Sequence, residues 1–524
     1  MRKSLPIGIQ TFKDIIQGGF LYVDKTSTIY EVIHNPKGVY FFSRPRRFGK
    51  SLLVSTLEEI FLGNRALFQG LWLHDSPYSW PQHPVIHIDF SRRRVESAEA
   101  LEIVISEHLQ QIAGRYATEA QGRNYLSQFE NLIRELSARN QVVILIDEYD
   151  KPLLDNIENL AEVQRIQNVL KGFYTVIKSM DAYVRFVFLT GISKFSRVGI
   201  FSGLNNLQDI SMHDRFATLL GFSQAEVEQN FGVYLQDFAD REGRDLATIV
   251  AEIRAWYNGF AFSRRGESVY NPFSLLLLLD SQDFRNYWFE SGTPTFLIKL
   301  IQKQNYNIQQ LDDLNVGELA FSSYDLERLQ VLPLLYQTGY LTIKGYDAER
   351  QLYRLGYPNR EVEQAFTQVL LGAFSAVDET LAAGYLWRLL DALAARTLER
   401  FFELMDAFFA GIPYDPSTGS GHRIQIGQER YYQTIFYLIF RLIGLEAAAE
   451  VRTSRGRIDA VVELVDVVYL FEFKLDGDAQ EALDQIQARG YAEPYRASGK
   501  ALILVGINFD TAARGIADWQ TKTL

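Results

Sequence analysis

Short apolar runs that end in polar residues alternate with amphipathic stretches over the first 215 residues of the chain. Continuous apolar runs are typical of buried parallel strands. The runs are VYFF (39–42), PVIHIDF (84–90), QVVILIDEYD (141–150) and VRFVFLTGIS (184–193). The stretches between them, such as SLLVSTLEEIFLG after the first run, carry apolar residues at helical spacing. The alternation predicts an α/β domain with a parallel sheet over residues 1–215.

The pattern changes after this region. Residues 216–345 predict mainly helices with aromatic residues between them, a helical lid domain, and residues 346–415 predict a helical linker region. The segment YDPSTGSGH (414–422) has proline, glycine and serine together, which is typical of a linker. The remainder, 416–524, predicts a compact α/β domain in the order helix, three strands, helix, strand. These elements are helix 426–444, strands near 448–453, 457–464 and 467–474, helix 478–491 and strand 500–506.

The composition is that of an ordinary globular protein, with 47% hydrophobic and 22% charged residues in 524. No apolar run reaches the roughly 18 residues of a membrane span, and the basic N-terminus has no apolar stretch of a secretion signal behind it. The chain has no cysteine, which excludes disulfides and thiolate metal sites and fits a cytoplasmic location. We therefore expect a cytoplasmic protein with no membrane partner.

Charge and histidine content limit the chemistry further. A net charge of −11 disfavours constant, tight, nonspecific binding of nucleic acid, although a local basic groove remains compatible with it. With 7 histidines and no HExxH motif, a zinc enzyme is not expected. Any metal should be a hard cation held by carboxylates.

The segment SRPRRFGKS (43–51) predicts a phosphate-binding loop, because an apolar strand precedes it and an amphipathic helix follows. In such loops the backbone N–H groups cradle the phosphates, the lysine meets the outer phosphates and the serine holds Mg²⁺. The glycine that should open the loop is replaced by Arg44. The predicted nucleotide-binding residues of the loop are Arg46, Arg47, Phe48, Gly49, Lys50, Ser51 and Leu52.

The strand VVILID supplies the acids that a nucleotide site needs. Asp147 should join the Mg²⁺ shell through water, and Glu148 should orient or deprotonate the attacking water. On the next strand, Thr190 is a candidate sensor of the γ-phosphate, and Ser193 is a weaker one. The alternative is a basic turn followed by an ordinary acidic strand end.

Three arginines lie in the loop. Arg44, Arg46 and Arg47 could each face phosphate or a neighbouring subunit in a homo-oligomer, and otherwise each is a solvated surface charge. Pro45 offers a turn in place of the missing glycine.

A second group of charged residues occurs in GRIDAVVELVDVVYLFEFKL (456–475). Because side chains alternate along a strand, Glu472 and Lys474 share one face, while Phe471 and Phe473 point into a core. Asp459 and Glu472 could share a divalent cation, with Lys474 beside the metal-bound water. Such a site makes hydroxide near neutral pH and stabilises a pentavalent phosphate.

Two further residues flank this group. Glu429 lies one helical turn before Tyr432 on the apolar face of helix 426–444, where a carboxylate is costly without a cation or donors. Gln485, on the next helix, could also flank the site. The alternative for Glu472 and Lys474 is a salt-bridged strand face, which is common.

These motifs resemble bacterial AAA-ATPase-like proteins with a C-terminal PD-(D/E)XK nuclease domain. The resemblance spans nearly the whole chain and is carried by LPIGIQTF, YVDKT, RPRRFGKSLL, LIDEYDKPL, LTGISKFS, LNNLQDIS, WYNGF, VYNPFSLL, YYQTIFYLIF, RGRIDAVV and EFKL. It implies a P-loop NTPase of AAA type, a helical lid and a restriction-endonuclease-like domain. The loop without its first glycine looks like that group's own version. One departure is Ile458, where the nuclease motif has proline.

The resemblance implies a protein that binds and hydrolyses ATP and whose nucleotide state regulates a Mg²⁺-dependent nuclease, with Mn²⁺ as an alternative ion. Its substrate would be DNA or RNA, with DNA favoured. The alternative is an ATP-driven switch or scaffold whose C-terminal fold binds nucleic acid or a partner without cutting. A helicase-like motor is disfavoured, because the sequence has no second motor core.

Overall fold

The structure, a computed structural model, describes residues 2–194, 201, 204–289, 295–304, 306–308, 311, 314–321, 330–375, 379–410, 428–446, 450–452, 460–510 and 515–524. The chain forms two compact units. The first comprises Met1–Ser291 and Asp312–Glu361, and the second comprises Gly292–Leu311 and Val362–Leu524. In the described part of the chain, no helix has both the length and the apolar character needed to cross a membrane.

The first unit contains a five-stranded parallel sheet in the order β2-β3-β4-β1-β5. Its strands are β1 (Gly38–Ser43), β2 (Val85–Asp89), β3 (Val142–Asp147), β4 (Val184–Gly191) and β5 (Gln208–Asp209). The four apolar runs form the four longer strands, as predicted, and every residue of β1 and β3 is buried. The predicted α/β class with a parallel sheet is confirmed.

Among the described residues, seven α-helices of the first unit precede or connect these strands. They are α1 (Phe12–Gln17), α2 (Thr26–Ile33), α3 (Lys50–Phe61), α4 (Ala98–Arg115), α5 (Tyr125–Ser137), α6 (Lys151–Leu154) and α7 (Leu160–Ser179). Side-chain caps mark several starts, because Ser97 and Asn124 accept from backbone N–H groups in the first turns of α4 and α5. α3 begins directly after Gly49, so the predicted loop joins β1 to α3.

The described residues of 216–289 and 330–345 are here called the lid. Its helices are α8 (Gln224–Glu242), α9 (Leu246–Tyr257), α10 (Pro272–Ser281) and α12 (Val331–Thr338). α8, α9 and α10 share an apolar core that includes Phe231, Phe238 and Ile253. A small antiparallel sheet in the order β6-β8-β7 was not predicted. Its strands are β6 (Leu314–Val316), β7 (Thr342–Asp347) and β8 (Leu352–Gly356).

The second unit combines helices with a mixed sheet in the order β13-β12-β11-β10-β9. The strands are β9 (Glu450–Arg452), β10 (Ala460–Glu463), β11 (Val467–Leu475), β12 (Ala501–Asp510) and β13 (Gly515–Thr523). The helices are α11 (Thr295–Lys303), α13 (Arg360–Ser375, of which Arg360 and Glu361 belong to the first unit), α14 (Glu379–Ala394), α15 (Leu398–Ala410), α16 (Gln428–Glu446) and α17 (Ala479–Ala488). The predicted order of elements is confirmed, and the edge strand β13 was not predicted.

The two faces of β11 have different partners. Val468 and Leu470 share an apolar cluster with Leu483 and Ile486 of α17. The alternate residue Phe471 packs on Phe440 of α16, with ring centres 4.7 Å apart. Glu472 therefore belongs to the face that α17 covers.

Candidate functional site

The loop between β1 and α3 turns through left-handed backbone conformations. Gly49 has φ 91° and Arg47 has φ 64°. A Cβ built on Gly49 would meet only Leu220, at 3.9 Å, so the conformation rather than the space requires glycine there. A left-handed conformation costs a residue such as Arg47 about 1–2 kcal/mol. The turn is thus made at Arg47, after the position where the usual loop has its first glycine.

Lys50 points into the loop and is 4% exposed. Its Nζ donates to the carbonyl oxygens of Arg44 (3.1 Å) and Pro45 (3.0 Å). Burial lowers the pKa of Lys50, and the carboxylates of Glu148 and Asp147 oppose that shift. The ammonium group is therefore held at the loop by neutral acceptors, with negative charge nearby.

The carboxyl ends of parallel strands meet at one edge of a sheet, and this brings the predicted acids to the loop. Asp147 ends β3, and its Oδ1 accepts from Thr190 Oγ1 on β4 at 2.7 Å and from the Glu148 backbone N–H at 3.0 Å. Glu148 has φ 49° and lines one cavity with Lys50. Burial raises the pKa of Glu148, although Lys50 opposes the shift. Lys50, Asp147, Glu148 and Thr190 are thus brought together.

Asp150 is a third acid at this edge that we did not single out from the sequence. It is buried, and its Oδ2 accepts from the backbone N–H groups of Ile192 (3.0 Å) and Ser193 (2.7 Å). A Cβ on Gly191 would lie 2.6 Å from Asp150 Oδ1, so glycine permits the close approach. Burial raises the pKa of Asp150. The acidic run DEYD was the available signal, and Asp150 anchors the end of β4.

The three loop arginines differ. Arg44 is 1% exposed, which makes the expectation of a phosphate-facing, subunit-facing or solvated side chain wrong. Arg46 is exposed, and the guanidinium of Arg47 lies over the ring of Phe273 at 3.6 Å. The phosphate contacts of Arg46 and Arg47 stay predictions.

Arg44 acts as a brace for the loop. Its guanidinium donates to the carbonyls of Ser211 (2.8 Å), Phe216 (3.0 Å) and Ala217 (3.5 Å), and to that of its neighbour Ser43. It lies between the rings of Phe42 (4.2 Å) and Phe262 (4.0 Å). Burial lowers the pKa of Arg44 to about 9. The residue in place of the first glycine thus fastens the loop to the segment that enters the lid.

A cavity of about 550 Å³ opens at the loop. One wall is the loop itself, including Lys50 and Ser51. The other walls come from the N-terminal segment (Ile9, Tyr22 and Val23) and from residues 219–276 (Leu220, Phe222 and Phe273). Apolar walls with a few polar groups are usual for small-molecule sites. The contribution of the N-terminal segment was missed, because only the fold brings LPIGIQTF and YVDKT to the loop.

Loop residues Phe48 and Leu52 also border this cavity. The Phe48 ring is buried and packs edge-on against Phe260 and Phe262 at 4.9 and 5.4 Å. The part of Phe48 available for a nucleotide is therefore its backbone.

In the second unit, Glu472, Lys474 and Gln485 lie together. Glu472 is 3% exposed, and its Oε1 accepts from Gln485 Nε2 of α17. The other atom of the same amide, Gln485 Oε1, accepts from Lys474 Nζ at 2.6 Å. One glutamine side chain therefore bridges the acid and the base that alternate along β11.

Gly506 sets the distance between α17 and the sheet. It pairs with Glu472 across the parallel strands β11 and β12. A Cβ at Gly506 would lie 2.2 Å from the carbonyl oxygen of Ala479 and 2.8 Å from Leu483 N. Only glycine lets the helix lie this close, and the close approach puts Gln485 within reach of Glu472.

The side chains of two predicted residues of this site lie outside the described residues. Asp459 lies outside the described residues, and Glu429 lies in α16 with its side chain outside them. Within the described ranges, no group of three or more acidic or histidine side chains is arranged to hold a metal ion. A buried carboxylate is a suitable oxygen ligand for a hard cation, and the metal-binding role of Glu472 stays a prediction.

Two family models match separate parts of the chain. The family model described as predicted AAA-ATPase matches residues 6–201, and the model described as PD-(D/E)XK nuclease superfamily matches residues 427–519. A protein from Azotobacter chroococcum mcd 1, described as "uncharacterized protein in vnfD 5'region", is 40% identical over 535 residues. The match covers 100% of this chain and 99% of that protein.

Among solved structures, the ORC2 protein of Aeropyrum pernix in ADPNP–ADP complexes has 12% sequence identity and a TM-score of 0.25. The match covers 66% of this chain and 88% of the ORC2 chain. At that TM-score the similarity supports no conclusion about fold or function. The similarity to the Azotobacter protein along the whole chain, with the two matched models, is decisive. The chain belongs to the family of predicted AAA-ATPases that carry a C-terminal domain of the PD-(D/E)XK nuclease superfamily.

Proposed function

We propose that this protein hydrolyses ATP at the loop of the first unit, and that its nucleotide state regulates a metal-dependent nuclease in the second unit. The substrate of the nuclease is DNA or RNA, with DNA favoured, and the protein acts in the cytoplasm. The observation that carries the proposal is the group of Lys50, Asp147, Glu148 and Thr190 at one edge of the sheet, beside a cavity of about 550 Å³.

Each residue at the first site has a role that its surroundings favour. The loop N–H groups and the start of α3 bind phosphate, and the Lys50 ammonium neutralises the outer phosphates. Ser51 and Asp147 supply oxygen ligands for Mg²⁺, Asp147 through water. Glu148 positions and deprotonates the attacking water, and a raised pKa suits a base that works near neutral pH. Thr190 holds Asp147 in place and senses the γ-phosphate.

At the second site, Asp459 and Glu472 would hold Mg²⁺ or Mn²⁺, with Glu429 as a further acidic group. The ion would lower the pKa of a bound water and stabilise charge on the phosphate. Gln485 positions the Glu472 carboxylate and the Lys474 ammonium at the same time. Lys474 then stands where it can donate to the phosphate or to the attacking water.

The charge of the chain fits a gated enzyme. A net charge of −11 opposes constant binding of nucleic acid, so nucleic acid would be engaged only in one nucleotide state. The exposed side chain of Arg46 leaves open a role across a subunit boundary in a homo-oligomer. Residues 422–524 carry 12 Lys+Arg and 14 Asp+Glu. This weak basicity around the second site favours a second candidate, a switch or scaffold that binds nucleic acid or a partner without cutting.

The deciding experiment measures both activities on the full chain. ATP hydrolysis is compared for the wild type, Lys50→Ala and Glu148→Gln. Cleavage of single- and double-stranded DNA and RNA is followed with Mg²⁺ or Mn²⁺, with and without ATP, for the wild type, Glu472→Gln and Lys474→Ala. We expect Lys50→Ala to lose ATP affinity, Glu148→Gln to bind ATP but hydrolyse it slowly, and both second-site variants to lose cleavage.

The outcomes separate the candidates. ATP hydrolysis at the wild-type rate in both first-site variants would show that the first site is misassigned. Binding of nucleic acid without cleavage under any of these conditions would favour the switch or scaffold. Cleavage at the same rate with and without ATP would be consistent with both sites but would contradict regulation of the nuclease by the nucleotide state.

A further inference from the structure

Lid residues contact three consecutive residues of the phosphate loop. The Arg47 guanidinium lies 3.6 Å from the ring centre of Phe273, at the start of α10. The indole Nε1 of Trp288 donates to the carbonyl oxygen of Arg46 at 3.4 Å. Gly339 lies against Pro45, because a Cβ there would be 2.8 Å from the Pro45 Cβ. Residues 45–47 are therefore in direct contact with Phe273, Trp288 and Gly339.

One buried carboxylate, that of Glu361, binds both the helix that carries Phe273 and the backbone of Trp288. Glu361 is 0% exposed, and its Oε1 accepts from Ser274 Oγ at 3.0 Å and from the Trp288 backbone N–H at 2.8 Å. Ser274 directly follows Phe273, and the Asn271 side chain fixes both by accepting from their backbone N–H groups. Because a buried carboxylate is costly without its hydrogen bonds, Glu361 is tied to both loop contacts.

Glu361 is the last residue of the first unit before the chain enters the second unit at Val362. It is the second residue of α13, and from Val362 onward this helix belongs to the second unit. α13 therefore links Glu361, which contacts Ser274 and Trp288, covalently to the unit that carries Glu472 and Lys474.

We propose that Glu361 is a positioning residue that passes the nucleotide state of the phosphate loop to helix α13. The proposal rests on the proposed ATP binding and adds the route of regulation. Lys50 now donates to the carbonyls of Arg44 and Pro45. A bound phosphate takes over as its acceptor, because a hydrogen bond between two charged groups is stronger than one from the ammonium to a neutral carbonyl. The released carbonyls let residues 45–47 rearrange, and Phe273 and Trp288 carry the change to Glu361.

The test is hydrogen–deuterium exchange of the full chain with Mg²⁺, with and without the ATP analogue adenylyl imidodiphosphate. The readout is the nucleotide-dependent change in exchange in peptides from residues 360–375, rather than exchange in either state alone. The variants are Glu361→Ala and Ser274→Ala. Ser281→Ala is the matched control, since Ser281 is on the same helix but bonds to Leu277 O and contacts Tyr287 OH. Affinity for the analogue is measured in parallel.

We expect the wild type and Ser281→Ala to show the nucleotide-dependent change in α13. Glu361→Ala and Ser274→Ala should bind the analogue within about threefold of wild type, while the change in α13 falls at least about threefold. A change of full size in both variants would overturn the proposal. Wild-type protein that binds the analogue without any change in α13 would overturn it too, yet leave the ATP site in place. Failure of the wild type to bind the analogue would reject the proposed function itself. If Glu361→Ala does not fold, Ser274→Ala decides.

Discussion

The two sites are assembled in different ways. At the first site, Lys50, Asp147 and Thr190 come from three separate places in the chain, and the edge of a parallel sheet brings them together. At the second site, Glu472 and Lys474 lie on one strand, and Gln485 lies on the helix that follows it. The first site depends on the whole sheet. The bridge through Gln485 at the second depends on one contact between a strand and a helix, so a change in the packing of α17 on β11 would break it.

The sites also treat buried charge differently. At the first, a buried ammonium lies near the carboxylates of Asp147, Glu148 and Asp150. At the second, a neutral amide stands between the acid and the base. An amide bridge orients both groups without neutralising either of them. The first site should therefore be sensitive to the loss of charge, and the second to the loss of geometry.

The largest effect that this comparison predicts is the loss of ATP hydrolysis in Glu148→Gln. The amide keeps the shape of the side chain but cannot accept a proton, so hydrolysis should fall about 10²- to 10⁴-fold with ATP affinity retained. The matched control is Asp89→Asn at the end of β2, because Asp89 pairs with Asp147 on the same sheet edge. The control should hydrolyse ATP like the wild type, and equal losses in both variants would indicate damage to the edge rather than loss of a base.

The next largest effect tests the contribution of Arg44 to the free energy of unfolding. Arg44→Met removes a guanidinium that donates to carbonyls of Ser211 and Phe216, among others, in a buried place. Unsatisfied buried polar groups cost about 1–3 kcal/mol each, so the free energy of unfolding should fall by roughly 3 kcal/mol or more in urea titrations. Arg46→Met, which changes an exposed side chain of the same loop, should alter it by less than about 0.5 kcal/mol. Similar stability in the two variants would contradict the brace.

The local pattern of apolar and polar residues predicted much of this architecture, and particular residues show which features it could not predict. The buried runs of β1 to β4 were apparent, because parallel strands are apolar on both faces. β13 was missed because GIADWQTKT is a largely exposed edge strand without an apolar run. Arg44 was misinterpreted because a charged residue in a basic loop gives no sign that carbonyls from residues 211–217 will surround it. At the second site, the period of a strand sufficed to pair Glu472 with Lys474.

A smaller effect tests the strand–helix contact at the second site. Gly506→Ala would place a methyl group 2.2 Å from the carbonyl oxygen of Ala479, so α17 must move away. Overpacking of this kind costs about 1–3 kcal/mol, and cleavage should fall because Gln485 leaves Glu472. Gly384→Ala is the control in the same unit, since a Cβ there meets nothing within 4 Å in α14. It should raise stability slightly, and unchanged cleavage in Gly506→Ala would remove Gln485 from the site.

A still smaller effect concerns metal at the second site, measured without nucleotide. If Asp459 and Glu472 bind Mn²⁺, a concentration ten times the dissociation constant should stabilise the fold by about 1.4 kcal/mol, seen as a rise in melting temperature. Glu472→Gln should blunt the rise, whereas Lys474→Met should keep it and lose cleavage. A rise of wild-type size in Glu472→Gln would exclude that carboxylate as a ligand.

The smallest effect is the pH dependence of stability at Glu148, which links the charge of the first site to its function. Burial raises the pKa of Glu148 in the folded chain, so the folded state binds this proton more tightly than the unfolded state does. The stabilising contribution is therefore complete below the unfolded pKa, near 4.5, and is lost as the pH rises through the folded pKa. Above the folded pKa the wild type carries a buried negative charge that opposes folding, and Glu148→Gln lacks it. Without nucleotide, the variant should melt a few degrees higher than the wild type at pH 7, and the difference should shrink toward pH 4. A variant that is less stable at pH 7 would mean that Lys50 stabilises this carboxylate enough to offset its burial.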